Sequence, residues 1–273
     1  MSATAPQLID THAHPQAPEF GQDLDAVLER AESAGVIGIV CVGYDLPSSL
    51  AAVALAEGRS QLFASVGIHP NSVGRAGEDT WVQVRQLARS PRVVAVGETG
   101  LDNYREWMPP DLQEVWLRRH LDLARGLSKP VVIHNREADE RAGQILCEWA
   151  ADSRSSGCPG VLHCFSSNER WMRELTGSGF SISIAGPVTF KNAGPLAAVA
   201  GRVPAESLLV ETDWPYLTPH PFRGTLEPAR MTLTARRLAE LRGESFEASA
   251  SRTTANAISV FRLPLSPIQA RPA

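Results

Sequence analysis

The sequence predicts an α/β protein closed into a single (β/α)8 TIM-type barrel. Three observations carry that expectation. Short β-rich apolar runs alternate with longer stretches of helical periodicity, the pattern of a parallel sheet with crossover helices. Eight such runs occur, at residues 7–12, 38–42, 62–68, 93–97, 130–134, 161–165, 180–184 and 208–211, and they are apolar throughout rather than at alternate positions, as strands covered on both faces must be. The 273 residues, 43% of them hydrophobic, match one barrel of about 250 residues. A doubly wound open sheet is the competing arrangement.

Between the first two runs, Leu24, Val27, Leu28, Ala31 and Ala34 share one helical face and Gly35 supplies a stop. Residues 112–127 and 231–241 carry similar stripes. No linker-like composition shift divides the chain. We therefore expect one domain over residues 1–263, and a disordered Pro-rich tail over 264–273. A net charge of −4 and a pI near 6.0 argue against broad adhesion to nucleic acid or membrane. A short strand or a nucleic-acid end entering a pocket needs no such surface. Cys41, Cys147, Cys158 and Cys164 form no CxxC pair and read as reduced thiols. Residues 1–10 lack the basic start and apolar run of a signal peptide, and no apolar stretch is long enough to span a bilayer. The expectation is a soluble cytoplasmic protein with no membrane and no obligate protein partner.

The chemistry-bearing residues gather where the runs end. His12 and His14 stand two apart, and side chains two apart in an extended chain face the same way, so two imidazoles can grip one metal. Glu98 follows the fourth run, His134 ends the fifth, His163 lies in the sixth, and Asp213 follows the eighth. Barrel enzymes place catalytic groups at this C-terminal face. Each residue alone has a bland explanation. A lone HxH pair arises by chance, His134 after three β-branched residues would serve as a core histidine, and Glu98 and Asp213 would serve as helix caps. Six of them at one end of different strands is poorly explained by chance. Four imidazoles and two carboxylates there could hold two divalent ions, with a carboxylate between them. His120, in a helical stripe, and His220, in a Pro-rich loop, lack such placement and read as structural or solvent-facing.

Six segments then resemble the TatD family of metal-dependent hydrolases, within the amidohydrolase-like barrels. They are Asp10-Thr11-His12-Ala13-His14, Gly67-Ile68-His69-Pro70, Gly97-Glu98-Thr99-Gly100-Leu101-Asp102, Val132-Ile133-His134-Asn135-Arg136, Leu162-His163-Cys164-Phe165 and Glu211-Thr212-Asp213-Trp214-Pro215-Tyr216-Leu217. The resemblance implies that His12 and His14 bind one ion and that His134 and His163 bind the second. Glu98 bridges them in place of the modified lysine of related barrels, and Asp213 binds the first ion and activates water. His69 would face the substrate phosphate or leaving group, and Arg136 and Arg223 would bind phosphate. The cofactor implied is two divalent ions, Zn2+, Mn2+ or Mg2+. A mixed histidine and carboxylate shell suits Zn2+, Mn2+, Fe2+ or Co2+ better than Mg2+.

Family members of this kind are 3′-to-5′ exodeoxyribonucleases, and some remove D-amino acids from tRNA. The expected reaction is therefore phosphodiester hydrolysis at DNA ends or on short single strands. Ester or amide hydrolysis with the same metals is the first alternative, and a metal-stabilised scaffold without catalysis is the second. A Ser or Cys hydrolase is disfavoured, because no GxSxG elbow is present. Departures from the family pattern fall in substrate-facing or packing segments. Asn103-Tyr104 follows Gly-Leu-Asp where one aromatic is usual, Thr225-Leu226-Glu227-Pro228 follows Arg223-Gly224, and Ser259-Val260-Phe261 follows Asn256 after a two-residue gap. They bear on substrate choice rather than on metal chemistry. Trp107 and Trp214 are expected to flank the mouth, either stacking on bases or packing.

Overall fold

The computed structural model describes residues 6–17, 23–105, 107–152, 159–224 and 227–265. Eight parallel strands pair in chain order, with no reversal: β1 (Leu8–Ala13), β2 (Val36–Val42), β3 (Leu62–Val66), β4 (Val93–Asp102), β5 (Val131–Arg136), β6 (Gly160–Leu162), β7 (Ser181–Ile184) and β8 (Leu208–Val210). That order excludes the doubly wound sheet, whose strand order must reverse at a switch point. A parallel bridge between Ala13 and Trp214 brings the chain beyond β8 back to β1. There Asp213 N donates to the His12 carbonyl (2.9 Å) and His14 N to the Trp214 carbonyl (2.7 Å). Asp10 ties the same seam: its Oδ1 accepts from Thr212 N at 2.9 Å. Burial pushes this carboxyl up to about 7, against the hydrogen bonds from Thr212.

Helices α1 (Leu24–Ser33), α2 (Leu46–Gly58), α3 (Glu78–Leu87), α4 (Pro110–Leu127), α5 (Asp139–Ala151), α6 (Glu169–Gly177), α7 (Gly194–Ala200), α8 (Met231–Arg242) and α9 (Phe246–Phe261) follow in order. Local chemistry sets several starts. Asp23, Asn168 and Ser245 cap α1, α6 and α9, and Asp45 with Ser48 forms a capping box on α2. The main core lies between strands and outer helices. A second cluster, with Ile9, Val40, Phe63, Ala95, Val132, Val161 and Leu209, meets Val260, Phe261 and Leu263 from the end of α9. This helix plugs the N-terminal end of the barrel, and Asn256 on it donates to the Ala205 and Leu208 carbonyls at the start of β8.

From that plug the inward-facing row climbs β5, β6 and β8 by twos: Val132 to His134 to Arg136, Val161 to His163, Leu209 to Glu211 to Asp213. The period-two rule thus turns an apolar base into a polar mouth. Several strand limits differ from expectation. Glu98 lies inside β4, which runs on to Asp102, and His134 lies inside β5, which runs on to Arg136. His163 stands just past β6, which ends at Leu162. The longer β4 exists because Gly97 (φ 141°) and Gly100 (φ 148°) let it follow β5 closely: a Cβ at Gly100 would run into the His134 backbone. His120 is a buried structural histidine, its Nδ1 against the Trp116 carbonyl at 2.7 Å and its Nε2 accepting from Ile68 N at 3.0 Å. Residues 266–273 of the expected tail, and Cys158, lie outside the described residues. Cys41, Cys147 and Cys164 are free thiols. No described helix is long and apolar enough to cross a membrane.

Candidate metal centre

Two β-bulges aim the first donors. Between β1 and β2 the register slips where Thr11 and His12 oppose Val40, and between β4 and β5 it slips where Gly97 and Glu98 oppose Val132. A bulge re-aims one side chain without ending the strand. His12 and Glu98 are turned into the barrel mouth this way, and Asp213 reaches it from a left-handed backbone (φ 57°) that Asp tolerates.

Six side chains converge. His12 Nε2 is 3.2 Å from His14 Nε2 and 3.6 Å from Glu98 Oε2. Asp213 Oδ1 stands 3.4 Å from His14 Nε2 and 3.8 Å from His12 Nε2. The other oxygen, Glu98 Oε1, is 3.1 Å from His134 Nδ1 and 2.8 Å from His163 Nε2, and these two nitrogens are 3.2 Å apart. Glu98 therefore presents one oxygen to each of two donor groups. Nitrogens bonded to one tetrahedral Zn2+ at about 2.0–2.1 Å must lie about 3.3 Å from one another. The His–His spacings match that edge, so the donor set fits divalent cations.

The groups behind the rings decide which nitrogen carries a lone pair once each ring is neutral. His14 Nδ1 lies 2.7 Å from the Val42 carbonyl, which can only accept, so when the ring is neutral its proton sits on Nδ1 and its inward Nε2 is bare. His134 Nε2 lies 3.3 Å from Asp102 Oδ2, and His163 Nδ1 lies 3.4 Å from Glu211 Oε1. Both carboxylates draw the ring proton outward and leave the inward nitrogen free, the carboxylate–histidine–metal arrangement. His69 is the reverse. Its Nδ1 accepts from Asn71 N at 3.0 Å, so its Nε2, 3.5 Å from Glu98 Oε1, bears the proton. His69, Glu98 and His134 are close enough to chelate, yet a protonated Nε2 is a donor and not a ligand.

The charges are mutually supporting. Burial pushes Glu98 up, but His163, His69, His12 and His134 more than offset it and hold the carboxyl well below its usual range. Burial likewise opposes ionisation of Asp213, and the His14 hydrogen bond overcomes it. Burial drives His69 down to about 3, so this ring stays neutral near pH 7.

Above the cluster opens a cleft of about 380 Å³, lined by His14, His69, Glu98, His134, His163 and Asp213 and, at its rim, by Arg75, Arg105, Arg136, Trp107 and Tyr216. His12 is fully buried beneath it. Arg136 reaches the rim as expected from its place two residues past His134. Arg223 is exposed in the segment between β8 and α8, outside the lining residues. Trp107 is 60% exposed, whereas Trp214 is buried at 1% and packs in the core. Asp102, Glu211, Arg75 and Arg105 were not singled out from the sequence as site residues. Glu211 stands two residues before Asp213, and Asp102 four after Glu98, so same-face spacing along an extended chain was the available signal for both.

Comparison with known proteins gives one family. The sequence model described as TatD related DNase matches residues 9–262. The chain is 39% identical over 257 residues to the uncharacterized metal-dependent hydrolase YabD of Bacillus subtilis, covering 94% of this chain and 99% of that one. It is 34% identical over 261 residues to a protein of Enterobacter lignolyticus named 3′-5′ ssDNA/RNA exonuclease TatD, covering 93% and 98%. A crystal structure of YJJV, a TatD homolog from Escherichia coli, superposes with a TM-score of 0.88 at 30% identity, covering 95% of this chain and 99% of that chain.

Proposed function

The chain belongs to the TatD related DNase family, and from that premise we propose that it is a metal-dependent phosphodiesterase acting 3′-to-5′ on DNA ends or short single strands. The observation that carries this reading is the charge of the cleft. Its carboxylates, Glu98, Asp102 and Asp213, all lie against histidines, and the groups left facing incoming substrate are the exposed guanidiniums of Arg75, Arg105 and Arg136. A rim of guanidiniums suits phosphate oxygens, which it can bind in bidentate fashion. A neutral ester or amide has no use for three of them.

His12, His14 and Asp213 would hold one divalent cation and His134 and His163 a second, with Glu98 between them; ions held there would supply acidification of a water and neutralisation of phosphoryl charge. Zn2+ or Mn2+ suits this mixed donor set better than Mg2+. The chain's own groups do the rest. Asp213, ionised and partly open to the cleft, accepts the proton of the attacking water. His69, neutral and protonated on Nε2, donates a hydrogen bond to a phosphoryl or leaving oxygen. Arg136 and Arg105 fix the flanking phosphates, and Arg223 meets the strand beyond the cleft. The free thiols Cys41, Cys147 and Cys164 suit a reducing compartment, in keeping with a cytoplasmic location.

The test is hydrolysis of an end-labelled single-stranded oligonucleotide by metal-loaded protein, with and without a chelator. Shortening from the 3′ end that stops on metal removal is expected. Protein that leaves DNA intact but deacylates D-aminoacyl-tRNA would overturn the proposal.

A further inference from the structure

Exposed aromatic surface that catalysis at the metal centre does not explain lies at the cleft rim, where Trp107 lines the opening, and just outside it, where Tyr104 packs against the rim residue Arg136. Trp107 and Tyr104 are 60% and 52% exposed, and both sit in the segment that leaves β4 just after Asp102. Guanidiniums alternate with these rings. Arg136 lies 4.0 Å from the Tyr104 ring centre, and Arg105 lies 5.1 Å from that of Trp107 and 5.9 Å from that of Tyr104. The order Trp107, Arg105, Tyr104, Arg136 is thus aromatic, cation, aromatic, cation. Asp102 anchors the run to the metal centre: its Oδ1 accepts from Tyr104 N (2.9 Å) and Arg105 N (3.0 Å), while its Oδ2 faces His134.

We propose that Tyr104 and Trp107 form a stacking platform for unpaired nucleobases of the strand whose end lies in the cleft, with Arg105 and Arg136 holding the intervening phosphates. This deepens the phosphodiesterase reading and rests on it. Each nucleotide offers one flat apolar face and one negative charge, and the rim offers flat faces and positive charges in alternation. Aromatic faces bind any base, because every base has a π-face. A platform of this kind selects single strands, since paired bases are already stacked on their neighbours. A staple serving stability alone would gain by burying the rings. Here the largest aromatic of the set is the most exposed one, at the lip of the cleft that holds the metal ligands.

The experiment compares an intact single-stranded oligonucleotide with one whose last three 3′ residues are abasic. KM is measured for wild type, Tyr104→Ala, Trp107→Ala and the conservative Tyr104→Phe and Trp107→Phe. Metal content and melting temperature verify that the variants remain folded. Wild type should favour the intact strand by roughly 5- to 150-fold for each base stacked. Each Ala variant should lose most of that preference, and each Phe variant should keep it. Equal KM for both substrates in wild type, or Ala variants that retain the preference, would overturn the platform while leaving the phosphodiesterase reading intact. Wild type that cleaves neither substrate would overturn both.

Discussion

Replacing Asp102 by Asn exchanges one oxygen for an NH2 group and should cripple the His134 site. Asp102 is 2% exposed, and all its acceptor capacity is in use. Oδ1 takes two backbone N–H groups, from Tyr104 and Arg105, while Oδ2 takes Asn71 Nδ2 at 2.8 Å and faces His134 Nε2 at 3.3 Å. In the Asp102→Asn variant the remaining oxygen must stay with the two backbone donors, because those cannot move. The new NH2 group then points at Asn71 and His134. Asn71 can turn its amide and offer oxygen. His134 has no such escape: its Nε2–H now meets another donor. The ring must either leave that proton unsatisfied or shift it to Nδ1, the nitrogen 3.1 Å from Glu98 Oε1, and so lose its inward lone pair.

An unsatisfied buried donor costs about 1–3 kcal/mol. Loss of a carboxylate behind a ligating histidine weakens metal binding about 10- to 100-fold, which is about 1.4–2.8 kcal/mol. The two routes agree. Calorimetric titration of metal-free Asp102→Asn with Zn2+ or Mn2+ should show one class of site weakened within that range and the other nearly unchanged. Wild-type affinity at both would refute the tautomer argument.

Asp213→Asn should keep the fold and the His134–His163 side of the centre yet lose turnover by at least about 100-fold, the lower end for a general base; normal turnover in the metal-loaded variant would place the base elsewhere. Metal binding should tighten as pH rises. Burial pushes His14, His134 and His163 down, but facing carboxylates more than offset it and raise all three above 6.5. Such groups stabilise the metal-free protein below pH 6.5, and their contribution is lost as pH climbs through the raised values, where a cation takes over the protons' role. The rise in melting temperature on adding Zn2+ should therefore grow as pH climbs above 6.5, and a constant rise would count against the ligand set. Arg136→Ala should weaken single-stranded oligonucleotide binding and reduce its salt slope by about 0.7, with metal content unchanged; an unaltered slope would remove Arg136 from the phosphate path.

Much of this was readable in the chain because two simple periods suffice. Eight apolar runs gave eight strands in order, and the same-face rule brought His12 Nε2 and His14 Nε2 within 3.2 Å. What escaped depends on backbone that departs from those periods. Glu98 was expected beyond the strand, yet it lies in a bulge of a strand extended by Gly97 and Gly100, and no hydrophobic pattern reports a bulge. The sequence leaves Trp214 either stacking at the mouth or packing, and the structure, which pairs it with Ala13 at the barrel seam, buries it in the core. Arg75 and Arg105 belong to irregular segments whose direction is set by tertiary contacts.

The division of labour among five histidines is the deepest property the sequence withholds. All five side chains stand within one small volume, and composition treats them alike. The roles of four of them, His14, His69, His134 and His163, are fixed from behind. A carbonyl at Val42 and carboxylates at Asp102 and Glu211 can only accept, so His14, His134 and His163 turn lone pairs inward. The backbone N–H of Asn71 can only donate, so His69 turns a proton inward. In the proposed reading, one donor in place of one acceptor makes His69, a potential fourth ligand on the Glu98 Oε1 side, a hydrogen-bond donor instead. On the same reading, that side stays open to an incoming phosphoryl oxygen. If the metal centre is catalytic as proposed, its openness on that side rests on a single main-chain amide, that of Asn71.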